Sequence, residues 1–112
     1  VGGEITRLVS RETTMAIAQP FTGYEPQKVP DRVGVYELGR PAPTATGYKV
    51  VYIGSGRLPR RLRHHDRSGK HWSVYRVELT GSTRRARQRE RVHQRRFLER
   101  EGRLPVYNDQ VG

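Results

Sequence analysis

The chain has no cysteine, which excludes disulfides and thiolate zinc sites and leaves its redox surroundings unread. It has no run of about 18 apolar residues, so it offers no membrane-spanning helix. No internal repeat is visible. Acidic residues are also scarce: 11 Asp and Glu stand against 22 Lys and Arg, a formal charge of +11. At 112 residues, the composition fits one domain with one modest core.

The positive charge is concentrated. Residues 1 to 56 carry six basic against five acidic side chains, whereas residues 57 to 103 carry sixteen against five. Nineteen of the basic residues are arginine, whose planar fork suits bidentate phosphate contacts. So basic a stretch points to nucleic acid. Its plainer alternative is a solvated arginine-rich face. Residues 84 to 100 offer no broad apolar stripe, which argues against a membrane-surface helix.

Residues 1–32 read as an N-terminal extension, with a short helix capped by Ser10 and closed by Pro20. Residues 33–112 read as the main domain. A first strand covers 33 to 38, and Gly39, Pro41, Pro43 and Gly47 mark a loop. A second strand covers 48 to 53. Its period of two puts Tyr48, Val50 and Tyr52 on one face and Lys49, Val51 and Ile53 on the other. Gly54-Ser55-Gly56 is expected to end it. Pro59 suits the first turn of a helix reaching about Arg67, with Leu58, Leu62 and His65 on one stripe. A third strand is expected over 72 to 79. Ser82 or Thr83 then caps a long helix to about Glu101, terminated by Gly102. This order predicts an α+β fold, a small three-stranded antiparallel sheet flanked by helices.

Chemistry gathers on a few of these positions. Tyr36 and Tyr52 lie on neighbouring strands, and Arg60, Arg61, His64 and His65 follow on one short helix. Two phenols beside a cationic cluster suit a phosphodiester. A tyrosine is a poor base unless a cation lowers its pKa from about 10. Arg61 can clamp a phosphate oxygen, and the i,i+4 relation selects His65 over His64 as its neighbour. Tyr48 and Tyr75 read as packing residues and His71 as a surface residue. On the long helix the inward stripe is Ala86, Glu90, His93 and Phe97. A carboxylate there needs a cation, either an arginine or a hard divalent metal ion such as Mg²⁺. His93 reads as a supporting group or as core. Arg57, Arg60, Arg63, Lys70, Arg84, Arg87, Arg91 and Arg95 read as nucleic-acid contacts.

Gly34-Val35-Tyr36 and Tyr52-Ile53-Gly54 open a longer pattern. Gly54-Ser55 leads into a helix with Arg61 and His65, Glu90 follows on a later helix, and Asn108 sits in an exit segment. Over some two thirds of the chain this resembles the GIY-YIG nuclease family. The resemblance implies a DNA endonuclease dependent on Mg²⁺ or Mn²⁺. In it Tyr36 activates water, Tyr52 assists, Arg61 clamps phosphate and His65 moves or positions a proton. Glu90 is the metal ligand and Asn108 a scaffold hydrogen bonder. It further implies double-stranded DNA as partner, no membrane, and a monomer or homodimer. The setting would be cytoplasmic, nucleoid-associated or phage-encoded, as a restriction-type or phage-type nuclease, or as the nuclease domain of a longer secreted toxin. The chain departs from the family between residues 37 and 51, which is longer. The interval from Tyr52 to Arg61 is one residue short, so Arg60 competes for the clamp. The interval from Glu90 to Asn108 is longer than in several relatives. The contrasting expectation is a non-catalytic, arginine-rich nucleic-acid-binding module.

Overall fold

The structure is a computed structural model that describes residues 19–108. In chain order it contains a two-residue strand Thr22–Gly23 (β1), a 3₁₀ turn Pro26–Lys28, and strands Val33–Pro41 (β2) and Tyr48–Arg57 (β3). Helix Leu58–Arg67 (α1), strand Val74–Leu79 (β4) and helix Thr83–Glu101 (α2) follow. The helix expected near Ser10 lies outside the described residues.

The strands form one antiparallel sheet in the order β1-β4-β2-β3. It has four strands where three were expected. The added strand pairs Thr22 with Tyr75 and Gly23 with Val74. It consists of two exposed residues held by backbone pairing, so no apolar alternation announces it. Trp72 and Ser73, expected in the third strand, precede β4 instead, with the Trp72 ring against Tyr24 at 4.9 Å.

The β2–β3 hairpin is longer than its sequence suggests. Gly54-Ser55-Gly56 does not break it: Tyr36 pairs with Gly54, Val35 with Ser55 and Gly34 with Gly56. The partner strand supplies the order that glycine lacks. Between Leu38 and Gly39 the register shifts, since Leu38 faces Tyr52 but Gly39 faces Val50. Val51 is therefore the extra residue of a β-bulge.

The bulge decides which side chains share a face. Val51 joins Tyr36, Leu38, Leu58 and Leu62 in the larger core cluster, with Tyr52 packed on it. Val35 and Ile53 form the second cluster, covered by Val50 and Phe97. Tyr48, expected beside Tyr52, instead meets Phe21 at 5.5 Å on the α2 side of the sheet. The expected split of 48, 50 and 52 from 49, 51 and 53 fails at this one inserted residue.

α1 starts with Pro59 in its first turn and buries Leu58, Leu62 and His65 against one sheet face. α2 covers the other face. The Ser82 hydroxyl accepts the Arg85 N–H at 3.1 Å, and Gly102, at φ 79°, ends the helix in the left-handed region. Much of α2's contact with the sheet is polar. Buried Glu37 accepts from Arg76 Nε at 2.7 Å, while Glu78 accepts from Arg89 Nε at 3.0 Å and pairs with His93 Nε2 at 2.8 Å. His93 thus belongs to a polar network with Glu78 and, at 3.8 Å, Glu37. Among the described residues, no helix is long and apolar enough to cross a membrane.

Gly34 pairs with Leu79 of β4, whose backbone leaves no room for a side chain there. A Cβ there would lie 3.2 Å from the Glu78 carbonyl carbon and 3.3 Å from the Leu79 Cα. Backbone cannot swing aside as a side chain can. Gly34→Ala is expected to lose about 1–3 kcal/mol in urea unfolding, the range for overpacking. Gly23→Ala, with nothing within 4 Å of its added Cβ, is the control. Equal midpoints for the two variants would refute the close-approach account.

Candidate functional site

Strand pairing sets Tyr36 opposite Gly54, and the missing Cβ makes room for its ring. A Cβ on Gly54 would lie 2.5 Å from the Tyr36 hydroxyl and 2.7 Å from the Tyr52 ring. Tyr36 and Tyr52 stack at 6.1 Å between ring centres, and the His65 ring lies 4.5 Å from that of Tyr52. The Tyr36 hydroxyl and His65 Nε2 are 2.7 Å apart, and Arg61 Nε donates to the same phenol oxygen at 3.4 Å. Gly56, at φ 139°, keeps space for Arg61, whose Cγ would be 3.0 Å from an added Cβ.

Both partners of the short contact are uncharged at neutral pH. Burial pushes the Tyr36 phenol well above its ordinary range; Arg61 opposes this without overcoming it, and Tyr52 and Glu90 add to the rise. Burial likewise pushes His65 down, to about 3, helped by the charges of Lys70 and Arg61 and by His64. With Arg61 donating to the phenol, the phenol can donate to a neutral His65 Nε2, which leaves the proton on Nδ1. That Nδ1 is buried and has no hydrogen-bond partner among the described residues.

Glu90 approaches the same stretch of β3 from the other face. Because side chains alternate, Gly54 and Gly56 open toward α1 while Ser55 points to α2. The Ser55 hydroxyl donates to Glu90 Oε1. Gln94, one turn along, donates to Glu90 Oε2 at 3.0 Å and to the Ile53 carbonyl at 3.3 Å. Asn108 brackets the same residue: Ile53 N–H donates to its Oδ1 at 2.8 Å, and its Nδ2 donates to the Ile53 carbonyl at 2.9 Å. Its side-chain amide thereby does the work of a neighbouring strand. Tyr107 N–H extends this cover to the Val51 carbonyl at 3.0 Å.

Tyr36, Tyr52, Arg61 and His65 therefore meet on the α1 side. Glu90 reaches the adjoining residue from the α2 side, and Asn108 holds the strand between them. Of the two competing arginines, Arg61 is the one that touches Tyr36; Arg60 lines a separate groove with Arg57, Arg63, His64 and Arg67. Lys70, grouped in sequence with the general nucleic-acid contacts, lies by the phenols, 5.7 Å from the Tyr52 ring centre and 6.0 Å from that of Tyr107. Arg84, Arg87 and Arg91 line a hollow on α2 with Thr83 and Gln88, and Arg95 is exposed on the same helix. Sequence reading missed Ser55 and Gln94. The i,i+4 spacing of Glu90 and Gln94 was the available signal.

Among the described residues, no group of three or more His, Cys, Asp or Glu could hold a metal ion. A divalent ion at Glu90 would have one protein carboxylate. This suits a hard ion such as Mg²⁺, which keeps several waters and takes further oxygens from a phosphate. The neutral donors Ser55 and Gln94 orient Glu90 without cancelling its charge, so the carboxylate fits the role.

Residues 19–96 match the family described as Domain of unknown function (DUF7508), and the chain belongs to that family. No curated protein and no solved structure matches it. The matched span includes Tyr36, Tyr52, Arg61, His65 and Glu90 but stops before Asn108.

Neutral burial of His65 carries a pH signature. Between about 6.5 and about 3 the unfolded histidine binds a proton that the folded one refuses, so acid favours unfolding across that window. Above it the effect is absent. His65→Leu removes this titration and should flatten the fall of stability with pH by up to about 1.4 kcal/mol per pH unit. Urea midpoints at pH 7, 6, 5 and 4 measure it. Parallel curves for the two proteins would show that His65 is not held neutral.

Proposed function

We propose that this protein is a metal-dependent DNA endonuclease of the GIY-YIG kind, hydrolysing phosphodiester bonds at the Tyr36–His65 pair. The observation that carries this reading is the 2.7 Å contact between the Tyr36 hydroxyl and His65 Nε2, with Arg61 on the same oxygen. A buried phenol joined to a neutral imidazole is a proton path, and Arg61 is the cation beside it that an incoming phosphate can recruit.

Tyr36 is fully buried in the free protein, so substrate has to uncover it. Arg61 leaves the phenol for a phosphate oxygen, which opens the Tyr36 oxygen to water and adds a charge-assisted contact to the substrate. The water oxygen then bonds to phosphorus while its proton passes to the Tyr36 oxygen. With the Arg61 charge turned away to the phosphate and an anionic phosphodiester beside it, His65 is more basic than in the free protein, and the phenolic proton passes on to its Nε2. The bond from phosphorus to the leaving oxygen breaks, and that oxygen takes a proton from solvent. Tyr52 orients the pair by stacking on the Tyr36 ring and packing at a tilt against the His65 ring. Glu90 would hold Mg²⁺ or Mn²⁺, and the bound ion would supply charge neutralisation on the phosphodiester.

Supercoiled plasmid provides the test. Nicking should appear with Mg²⁺ and vanish with EDTA. Tyr36→Phe keeps the ring and removes the oxygen, so cleavage should fall roughly 10²–10⁴-fold, the range for losing a general base. Tyr48→Phe, on the opposite sheet face, should stay active. Should plasmid be bound and never cut under any divalent ion, the arginine-rich binding module takes over as the reading.

Glu90→Gln should reduce cleavage by on the order of 10²-fold or more while DNA binding in EDTA stays near wild type. Wild-type nicking by Glu90→Gln would remove the metal role from this residue.

A further inference from the structure

The α2 side of the sheet has a concavity that the proposed chemistry does not use. A cleft of about 500 Å³ opens between the hairpin, the last turn of α2 and the segment that follows it. Three rings line it, those of Phe21, Tyr48 and Phe97, and each is only half-buried. Guanidinium groups lie on two of them, Arg76 at 4.2 Å from the Phe21 ring centre and Arg100 at 5.4 Å from that of Phe97. Lys49 and Arg103 complete the cationic rim. The one acid of the lining, Glu101, is engaged by Arg100 at 3.1 Å, and Arg76 is answered by Glu37 at 2.7 Å. Lys49 and Arg103 have no such partner among the described residues. Neither Tyr36, Tyr52, Arg61, His65 nor Glu90 lines the cleft, so it is additional to the candidate active site.

The cleft lies round the outer edge of β3 from the phenols. Val106 lines it, whereas the next residue, Tyr107, has its ring centre 6.0 Å from Lys70 Nζ, which is itself 5.7 Å from the Tyr52 ring centre. The bond from Tyr107 N–H to the Val51 carbonyl holds this segment on the strand edge. Consecutive residues thus belong to the cleft and to the surroundings of the active site. The lining also defines a ligand. Ring faces and guanidinium planes suit a flat aromatic body, and a rim with two unanswered cations suits a negative charge joined to it. An unpaired nucleotide has both, because any base presents a π-face and its phosphates are anionic. A paired base does not, since its faces are covered by its neighbours in the duplex.

We propose that this cleft seats an unpaired nucleotide of a DNA strand that also reaches the active site. The base lies against the Tyr48 and Phe97 rings, and Lys49 and Arg103 take the adjoining phosphates. The identity of the strand as DNA rests on the nuclease reading; the stacking site rests on the cleft. The preferred substrate is then a duplex with an unpaired tail beside the cut.

Binding in EDTA tests this with hairpin-closed duplexes that are blunt, carry an unpaired tail on either strand end, or carry the same tail without bases. Wild type should bind a tailed hairpin roughly 5–100-fold more tightly than its abasic counterpart, the range for one stacked base. Tyr48→Leu/Phe97→Leu keeps apolar side chains and removes the ring faces, so it should erase that ratio and leave blunt and abasic hairpins as in wild type. Lys49→Gln/Arg103→Gln changes exposed residues only. It should lower the magnitude of the log K against log salt slope by about 1–1.5 on both tails and leave the blunt hairpin unchanged, at about 0.7 per single-strand phosphate. Thermal melts check that the variants fold. If the ring variant melts early, the rim variant and the wild-type ratio decide. Equal wild-type affinity for natural and abasic tails overturns the proposal. Displacement of the tail by an equimolar free nucleoside monophosphate also overturns it, since the cleft would then take nucleotides and not a strand. Base-dependent tail binding without nicking keeps the cleft and sinks the nuclease reading. Metal-dependent nicking with no base dependence does the reverse.

Discussion

The arrangement depends on an absence: there is no side chain on Gly54, so the Tyr36 ring can lie across β3. The space is narrow, since an added methyl would come within 2.5 Å of the phenol oxygen. From this follow the stack on Tyr52, the contact with His65 and the position of Arg61. The neighbouring residue uses the opposite property. Ser55 has a side chain, points to the other face and meets Glu90. One strand thus serves two helices, by glycine on one side and by serine on the other.

The two faces are held by different forces. Toward α1 the contacts are mainly apolar and aromatic, with His65 and Arg61 the polar exceptions. Toward α2 a network of Glu37, Arg76, Glu78, Arg89 and His93 bridges sheet and helix beside a small apolar cluster. Buried charge is costly to leave unpaired, and here carboxylates and cations are matched within hydrogen-bond distance. The match fixes the rotation of α2 about its axis, because Arg89 and His93 must both reach Glu78. That rotation turns Glu90 and Gln94 toward β3 and leaves Arg84, Arg87 and Arg91 exposed.

Local signals carried a good part of this architecture. Ser82 and Gly102 marked the ends of α2, Pro59 the start of α1, and the i,i+4 spacing selected the histidine that lies with Arg61. The first hairpin strand was legible because residues 33 to 38 are rich in β-branched and aromatic side chains and bounded by turn residues. β1 was not, because two residues paired through backbone leave no pattern. The bulge was not, because a one-residue shift of register exists only once β2 and β3 are paired. Glu90 drew notice as a carboxylate on an inward stripe. Ser55 and Gln94 did not, since their hydrogen bonds exist only once strand and helix are docked.

The bulge at Val51 also separates the hairpin into two mechanically distinct parts. Below it, pairing from Val33 to Leu38 keeps the tyrosines in register with β4 and α1. Above it, residues 42–47 form a tip closed by its own bonds, among them Ala42 N–H to the Gly47 carbonyl at 3.0 Å and the Thr44 hydroxyl to the Tyr48 carbonyl at 2.7 Å. Residues inserted into that tip would not rotate Tyr36 or Tyr52 about the strand axes. The hairpin tip is thus the natural place to graft a peptide tag, or for related chains to vary in length, without disturbing the chemistry below it.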